Sequence, residues 1–230
     1  MQALKIVGIN GSSPFDTKGK NRPHGGSVMK LLNKVIGAAE TEIEILGNSS
    51  ETEIMHLHEE LKGFYQGNYD FLPDYIVPLF RRMLTADILV FASPVQWYAM
   101  SDYMKSLINH LTALEGSAED IREKFPGISL KSSERQLAGK VGAVVATCHH
   151  DGCAQAIASI ATPLNDMGII MVPGGTSYYN NKNWSVEEGD EDGDWQNEDY
   201  ARVGQNLARL AIILKSSTLD VNNWQAREAE

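Results

Sequence analysis

Short apolar runs alternate with stretches of helical spacing along most of the chain. Apolar, β-rich runs at 4–9, 87–91, 140–147 and 168–173 predict strands, and the alternating polar and apolar residues of 42–46 predict a further one. The run at 87–91 is continuously apolar, as is typical of a buried parallel strand. Apolar residues three and four apart predict helices from Ser27, from Asp74, over 100–111, from Asp151 and over 200–214.

Regular alternation of strand and helix predicts an α/β fold with a parallel sheet covered by helices on both faces. Five strands at this spacing are typical of a three-layer, doubly wound domain. We expect one domain over 1–216 with an inserted loop at 174–199, followed by a polar, mobile tail at 217–230. The chain has 230 residues and is 43% hydrophobic, which suffices for one sizeable core.

Charge and cysteine content narrow the function classes. A formal net charge of -10 argues against a general nucleic-acid binder, which needs a basic face. We expect no membrane span, because no apolar run approaches roughly 18–20 residues, and the N-terminus lacks the features of a signal peptide. Two cysteines, Cys148 and Cys153, imply no disulfide framework, so a reducing, cytoplasmic location is expected.

The residues that follow the third strand carry the clearest chemical signal. Segment 93–98 reads Ser-Pro-Val-Gln-Trp-Tyr and precedes a helical pattern. A proline, two aromatic rings and an amide form a semi-polar platform for a planar ligand, and ligands bind outside the carboxyl ends of strands in such sheets. An isolated aromatic pair is more often core or interface, and Tyr98 remains a candidate for a subunit contact.

The loop between the first strand and the first helix has the composition of an anion cradle. A helix N-terminus exposes unpaired N–H groups and a positive dipole end. Gly26 permits close backbone approach, while Ser12 and Ser27 carry hydroxyl donors. Ser27 is also the expected N-cap. An ordinary polar loop remains the alternative, because the segment matches neither a Walker motif nor Gly-x-Gly-x-x-Gly.

Together these loops resemble the flavodoxin-like FMN-binding oxidoreductases, in particular the NADPH-dependent FMN reductase and iron-sulfur flavoprotein group. The resemblance is specific at 86–110 and moderate at 8–36. It is weaker at 140–173 and absent from 174–199. The matching residues are Gly11-Ser12 with Gly26-Ser27, the stretch from Ala86 to Tyr98, and Met104-Lys105-Ser106-Leu107-Ile108-Asn109.

This resemblance implies a flavodoxin-like fold with strand order 2-1-3-4-5 and FMN at the switch point. It places the FMN phosphate at Ser12 and Ser27, with access provided by Gly26. The remaining flavin contacts that it implies are Pro94, Val95, Gln96, Trp97 and Tyr98 on one side and Thr147, Cys148, His149 and Gly152 on the other.

The implied activity is an FMN-dependent NAD(P)H oxidoreductase that passes reducing equivalents to a quinone, a flavin or another small acceptor. NADPH or NADH would be the reductant, no catalytic side chain is obligatory, and a homodimer or homotetramer is expected. Two alternatives stay open: a flavodoxin-like FMN electron carrier without NAD(P)H turnover, and a scaffold that has lost FMN.

Three features depart from the family pattern. Gln96 stands where the family usually has tyrosine, and the phosphate loop is longer than usual. Segment 47–73 holds no cysteine, so we expect no iron–sulfur centre. We also expect no metal at 148–151, because adjacent residues on a strand end point in different directions. His56 and His58 are expected to be surface residues.

Overall fold

The computed structural model describes residues 3–13, 26–65, 72–114, 118–130, 135–148, 151–180 and 194–217. Its strands are β1 (Leu4–Asn10), β2 (Ser50–His56), β3 (Ile88–Gln96), β4 (Ala99–Met100), β5 (Val141–Cys148) and β6 (Ile170–Asn180). Its α-helices are α1 (Ser27–Ile45), α2 (Leu57–Glu60), α3 (Val77–Thr85), α4 (Asp102–Leu111), α5 (Ala118–Lys124), α6 (Cys153–Asp166) and α7 (Asp194–Ser216). In these ranges no helix combines the length and the apolar character that crossing a membrane requires.

Five parallel strands form the sheet in the order β2-β1-β3-β5-β6. The expected order 2-1-3-4-5 is therefore confirmed. The short strand β4 runs antiparallel to the end of β3 and adds a sixth strand beyond the expected five. Because β1 lies between β2 and β3, the chain reverses its direction of progress across the sheet beside β1, where ligands bind in such folds.

Two helical layers cover the two faces of the sheet, as the three-layer prediction requires. In β3, Ile88 and Val90 pack into the core cluster formed with α1 and α7. Their neighbours Leu89 and Phe91 pack into the opposite cluster, formed with α3, α4 and α6. All four side chains are 0% exposed. Each such burial contributes roughly 1.5–3 kcal/mol, which explains why every residue of this strand segment is apolar.

The second strand was predicted at the wrong place. Residues 42–46 belong to the end of α1, where Glu42 and Ile43 continue the inward helical face. Glu42 is 6% exposed and accepts a hydrogen bond at 2.7 Å from Arg209 Nε on α7. The helix ends at Ile45, and Gly47, with φ 75°, follows the C-cap and completes the two backbone bonds of a Schellman motif. The polar–apolar alternation of 42–46 is therefore one edge of a helical stripe.

The true second strand, β2, lies in a segment for which no strand was predicted. It reads Ser-Glu-Thr-Glu-Ile-Met-His and is mostly exposed, because it is an edge strand with β1 as its neighbour. Its parallel register pairs His56 with Asn10 at the end of β1. The surface prediction for the histidines is wrong for His58, whose side chain is only 6% exposed.

Two helix starts also differ from the predictions. Helix α3 begins at Val77 rather than at Asp74, whose carboxylate pairs with Lys124 at 2.9 Å. Helix α6 begins at Cys153 rather than at Asp151, because Gly152 occupies the N-cap with φ 95°. In both cases a turn precedes the first helical residue.

The predicted insert at 174–199 is shorter than expected. Strand β6 extends to Asn180 and α7 begins at Asp194, so regular structure occupies both ends of the segment. The intervening residues 181–193 lie outside the described residues.

Candidate functional site

The ends of β1 and β3 are joined directly at the carboxyl edge of the sheet. Gly11 N–H donates to the Ala92 carbonyl at 2.8 Å, and Ser101 Oγ donates to the Gly11 carbonyl at 2.6 Å. A Cβ atom on Gly11 would lie 3.1 Å from Ser101 Oγ and from Met104 Cε. Glycine therefore lets the first loop approach β3 closely, and the two segments are positioned as one unit.

Ser12 lies at this edge, as predicted, but its donors are already engaged. Its N–H at 3.0 Å and its Oγ at 2.8 Å both donate to Asn10 Oδ1. Asn10 is 0% exposed and was not among the predicted site residues. A polar residue that ends an apolar strand directly before glycine was the available signal. Asn10 therefore shapes the start of the loop from inside the sheet.

The N-terminus of α1 offers backbone N–H donors that have no partner within the helix itself. Gly26 occupies the N-cap with φ 97°, and Ser27 is the first helical residue, so the prediction of Ser27 as N-cap is wrong. In the described part of the chain, no side chain caps this end and no acidic residue lies in its first turn. The N–H groups of this first turn and the positive dipole end together favour an anion, phosphate above all.

Trp97 and Tyr98 form the tip of a tight hairpin. Gln96 pairs with Ala99 across β3 and β4, which leaves these two aromatic residues as the connecting loop. Their φ angles are 47° and 64°, the positive values that type I′ hairpin turns require. The left-handed conformation costs a non-glycine residue roughly 1–2 kcal/mol. Trp97 is nevertheless 95% exposed and Tyr98 57% exposed, so neither ring is buried in return.

A pair of buried serines holds the base of this hairpin. Ser93 Oγ accepts a hydrogen bond from Ser101 N–H at 3.0 Å, and Ser101 Oγ accepts from Met104 N–H at 3.2 Å as the N-cap of α4. Ser93 is 0% exposed and Ser101 2% exposed. Between them the half-buried Pro94 and Val95 line the edge. Neither serine was predicted as a site residue.

The loop after β5 reaches the hairpin from the other side. Thr147 and Cys148 end β5 and are buried, and Gly152 follows with φ 95°. A Cβ atom on Gly152 would lie 2.6 Å from the Tyr98 Cα, so the two loops are in backbone contact. The predicted contact His149 lies outside the described residues.

The two cysteines form a buried, hydrogen-bonded pair. Burial raises the pKa of the Cys153 thiol well above its usual range, and the hydrogen bond and charge interaction with Cys148 raise it further. A thiol of this kind is protonated at neutral pH and is a poor nucleophile or metal ligand. Over the described ranges, the side chains form no group of three or more His, Cys, Asp or Glu able to hold a metal ion.

The assembled edge has two unlike ends. One end presents backbone N–H groups and Ser12, and the other presents exposed aromatic rings and the exposed amide of Gln96. The link between them is the Gly11–Ser101–Ser93 set of hydrogen bonds. The N–H and hydroxyl donors at one end suit a phosphate, and the aromatic rings at the other end suit a flat ring. The edge as a whole therefore suits an elongated ligand that carries both groups.

Comparison with known proteins gives one family and many similar folds. The family model for NADPH-dependent FMN reductase matches residues 4–183. A search of the curated proteins finds no significant match.

Several solved structures share the fold at low sequence identity. RosB with a bound 8-demethyl-8-formylriboflavin-5'-phosphate intermediate is 18% identical, with a TM-score of 0.64 over 94% of this chain and 82% of RosB. An NAD(P)H:quinone oxidoreductase from Methanothermobacter marburgensis is 13% identical, with a TM-score of 0.56 over 90% of this chain and 96% of that chain. A flavodoxin from the domain Archaea is 12% identical, with a TM-score of 0.52 over 91% of this chain and 99% of that chain. At these identities the likeness establishes a flavodoxin-like fold.

Proposed function

The chain belongs to the NADPH-dependent FMN reductase family, and on this premise we propose that it is an FMN-dependent NAD(P)H oxidoreductase that reduces a quinone, a flavin or another small acceptor. The observation that carries the proposal is the hydrogen bonding of Gly11 to the strand that bears the aromatic hairpin. At the same sheet edge, Asn10 holds Ser12 and contacts Met29 in the first turn of α1. FMN has a phosphate and a flat ring at its two ends, and the residues of the site fit both.

The phosphate would be held by the first loop and the start of α1. The backbone N–H groups that follow Gly26 donate to it, and the Ser27 hydroxyl lies at the same helix end. Ser12 contributes after one of its two donors leaves Asn10 Oδ1 for the phosphate. Charge-assisted hydrogen bonds of this type are the stronger ones in proteins.

The ring would be held between the hairpin and the loop after β5. Pro94, Val95 and Gln96 line the approach, and Trp97 and Tyr98 offer exposed aromatic faces. Thr147, Cys148 and Gly152 close the opposite side, where we also expect His149. The flavin supplies the hydride and electron transfer chemistry when bound. The chain orients it and excludes water, and Gln96 places a neutral amide where the family usually has a phenol.

The proposed reductant and acceptor are supported by the comparisons with known proteins. The family description names NADPH, and the M. marburgensis neighbour is named for both NAD(P)H and quinone. The flavin phosphate bound in the RosB structure supports FMN as the resident group. We propose NADPH or NADH as the reductant and a small molecule as the acceptor.

Loading the chain with FMN and adding NADPH or NADH without oxygen tests this function. The proposal predicts loss of the oxidised flavin absorbance, followed by recovery when a quinone or a second flavin is added. Bound FMN that is reduced by dithionite but by neither nicotinamide contradicts it.

A flavodoxin-like electron carrier is the second candidate, and the archaeal flavodoxin neighbour supports it. A carrier binds FMN and exchanges electrons with a protein partner, without NAD(P)H turnover. Steady-state oxidation of NADPH in the presence of a quinone separates the two functions, because a carrier shows no turnover above that of unbound FMN.

We also propose a homodimer or homotetramer. The support is Trp97, a large aromatic side chain that is 95% exposed at the hairpin tip and adjoins the site. Light scattering on the wild type and on Trp97→Ala tests this assembly. We expect an oligomeric wild type and a weaker assembly in the variant, and a monomeric wild type would contradict the proposal. The cytoplasmic location stays a prediction.

A further inference from the structure

Asn10 is the point at which β1, β2 and α1 meet. Its Oδ1 accepts both donors of Ser12, so the orientation of the amide is assigned by chemistry: an NH₂ group in that place would face two donors. Nδ2 therefore lies on the opposite side, 3.1 Å from His56 Nδ1 and 3.9 Å from Met29 Sδ.

This orientation fixes the protonation state of His56. An amide NH₂ donates and cannot accept, so His56 Nδ1 must supply a lone pair. The imidazole is then neutral, with its proton on Nε2. The register that pairs Asn10 with His56 across β1 and β2 brings the two side chains together.

The surroundings of His56 contain a second histidine. The rings of His56 and His58 lie edge to face with centroids 5.9 Å apart. His58 Nε2 lies 3.5 Å from Glu59 Oε1, and the Tyr103 ring lies 6.4 Å from the His58 ring. Glu59 and Tyr103 are thus titratable neighbours of the histidine pair, and Met29 on α1 contacts Asn10.

We propose that His56 is a positioning residue for the phosphate loop: as a neutral imidazole it holds the Asn10 amide in the orientation that fixes Ser12, and protonation at Nδ1 reverses that orientation. The inference rests on the proposed FMN site. It gives a role to a histidine that was expected to be a surface residue.

The consequence of protonation follows from donors and acceptors alone. A proton on Nδ1 would face the Asn10 NH₂, and rotation of the amide by half a turn would relieve that conflict. The same rotation places NH₂ against the Ser12 N–H and removes the acceptor that holds the loop.

Two substitutions separate the lone pair from the charge. His56→Asn keeps an oxygen acceptor close to the position of Nδ1 but does not titrate. His56→Phe keeps a flat ring and removes the acceptor. Both are compared with the wild type in the full chain stripped of flavin, with circular dichroism as the check on folding.

The readout is the ratio of the riboflavin Kd to the FMN Kd, measured by quenching of flavin fluorescence. Riboflavin lacks the phosphate, so the ratio isolates the phosphate end. At about pH 7.5, His56→Phe should lower the ratio roughly threefold to tenfold, the weight of one net hydrogen bond, and His56→Asn should restore most of it.

Acidification gives the second readout. Between about pH 7.5 and about pH 5.5 the ratio should fall more in the wild type than in His56→Asn, which controls for protonation of the FMN phosphate near about pH 6. In an Asn10→Ala background, replacing His56 should leave the ratio unchanged.

Distinct results overturn the two proposals. Tight FMN binding with equal ratios in the wild type and in His56→Phe, or a wild-type ratio that rises on acidification relative to His56→Asn, contradicts the positioning role. Binding of neither FMN nor riboflavin to the folded wild type contradicts the proposed function instead.

Discussion

The two ends of the site are held by different physics. At the phosphate end, Asn10 is fully buried and its polar atoms contact Ser12, His56 and Met29. At the ring end, Trp97 and Tyr98 are exposed, and their positive φ angles are imposed by a two-residue hairpin. The first end is ordered by hydrogen bonds within the protein. The second is held in a costly conformation whose aromatic surface is left for a ligand or a partner.

Substituting Gly152 should have the largest effect. Alanine there combines an unfavourable φ of 95° with a Cβ placed 2.6 Å from the Tyr98 Cα. We expect a loss of about 2–4 kcal/mol in the free energy of unfolding, measured in urea. Gly37→Ala is the matched control, because that Cβ meets nothing within 4 Å and α1 should gain up to about 1 kcal/mol.

The same substitution sharpens the comparison of the two ends. Gly152→Ala displaces the ring end, so riboflavin and FMN should lose affinity by the same factor, leaving their ratio unchanged. A selective loss of FMN affinity would show that the two ends do not act separately.

Ser101 joins the two ends, and its loss should have the next largest effect. Ser101→Ala removes the N-cap of α4 and the bond to the Gly11 carbonyl. We expect a loss of about 1–2 kcal/mol in unfolding free energy. Ser159→Ala, which removes a hydroxyl that donates to Ala156 within its own helix, is the control and should change stability by less than about 0.5 kcal/mol.

Replacing the hairpin tip should stabilise the chain while impairing ligand binding. Trp97→Asn with Tyr98→Gly introduces the residues that a type I′ turn prefers. We expect a gain of about 1–2 kcal/mol from relief of backbone strain, together with weaker binding of both flavins. Unchanged flavin affinity in the stabilised variant would remove Trp97 and Tyr98 from the ring site.

The buried thiols should produce the smallest effect, visible at alkaline pH. Burial raises the pKa of Cys153 in the folded chain, so the unfolded chain releases this proton first as the pH rises. The contribution of this thiol to the free energy of unfolding is fully present below the unfolded pKa of about 8.5. It should decline by about 1 kcal/mol by about pH 9. Urea unfolding of the wild type and of Cys153→Ala checks this, and parallel pH profiles would contradict it.

The sequence predicted the fold better than it predicted the site. Apolar runs such as 88–91 are buried on both faces, so burial itself makes their pattern visible. The edge strand β2 carries little apolar surface, so its sequence gives a weak strand pattern. The alternating residues of 42–46 give a clearer pattern, although they belong to α1.

The missed site residues share one cause. Asn10, Ser93 and Ser101 matter because they hydrogen-bond across elements, and such pairing depends on register that composition does not reveal. Misplacing β2 also hid the partner of His56, since the neighbour of an edge strand is known only once the strand is located. The location of Ser12 and Pro94 at one edge of the sheet was predictable because the fold brings the strand ends together there. Their contacts with a flavin stay predictions.

The measurement that tests the central claim most directly is an equilibrium titration of the flavin-free wild type with FMN and with riboflavin. We predict that both bind and that FMN binds about 10- to 100-fold more tightly. The N–H groups of α1 and the donors of Ser12 contact only the phosphate, which riboflavin lacks. Equal affinities, or tighter binding of riboflavin, would contradict a phosphate site at the start of α1.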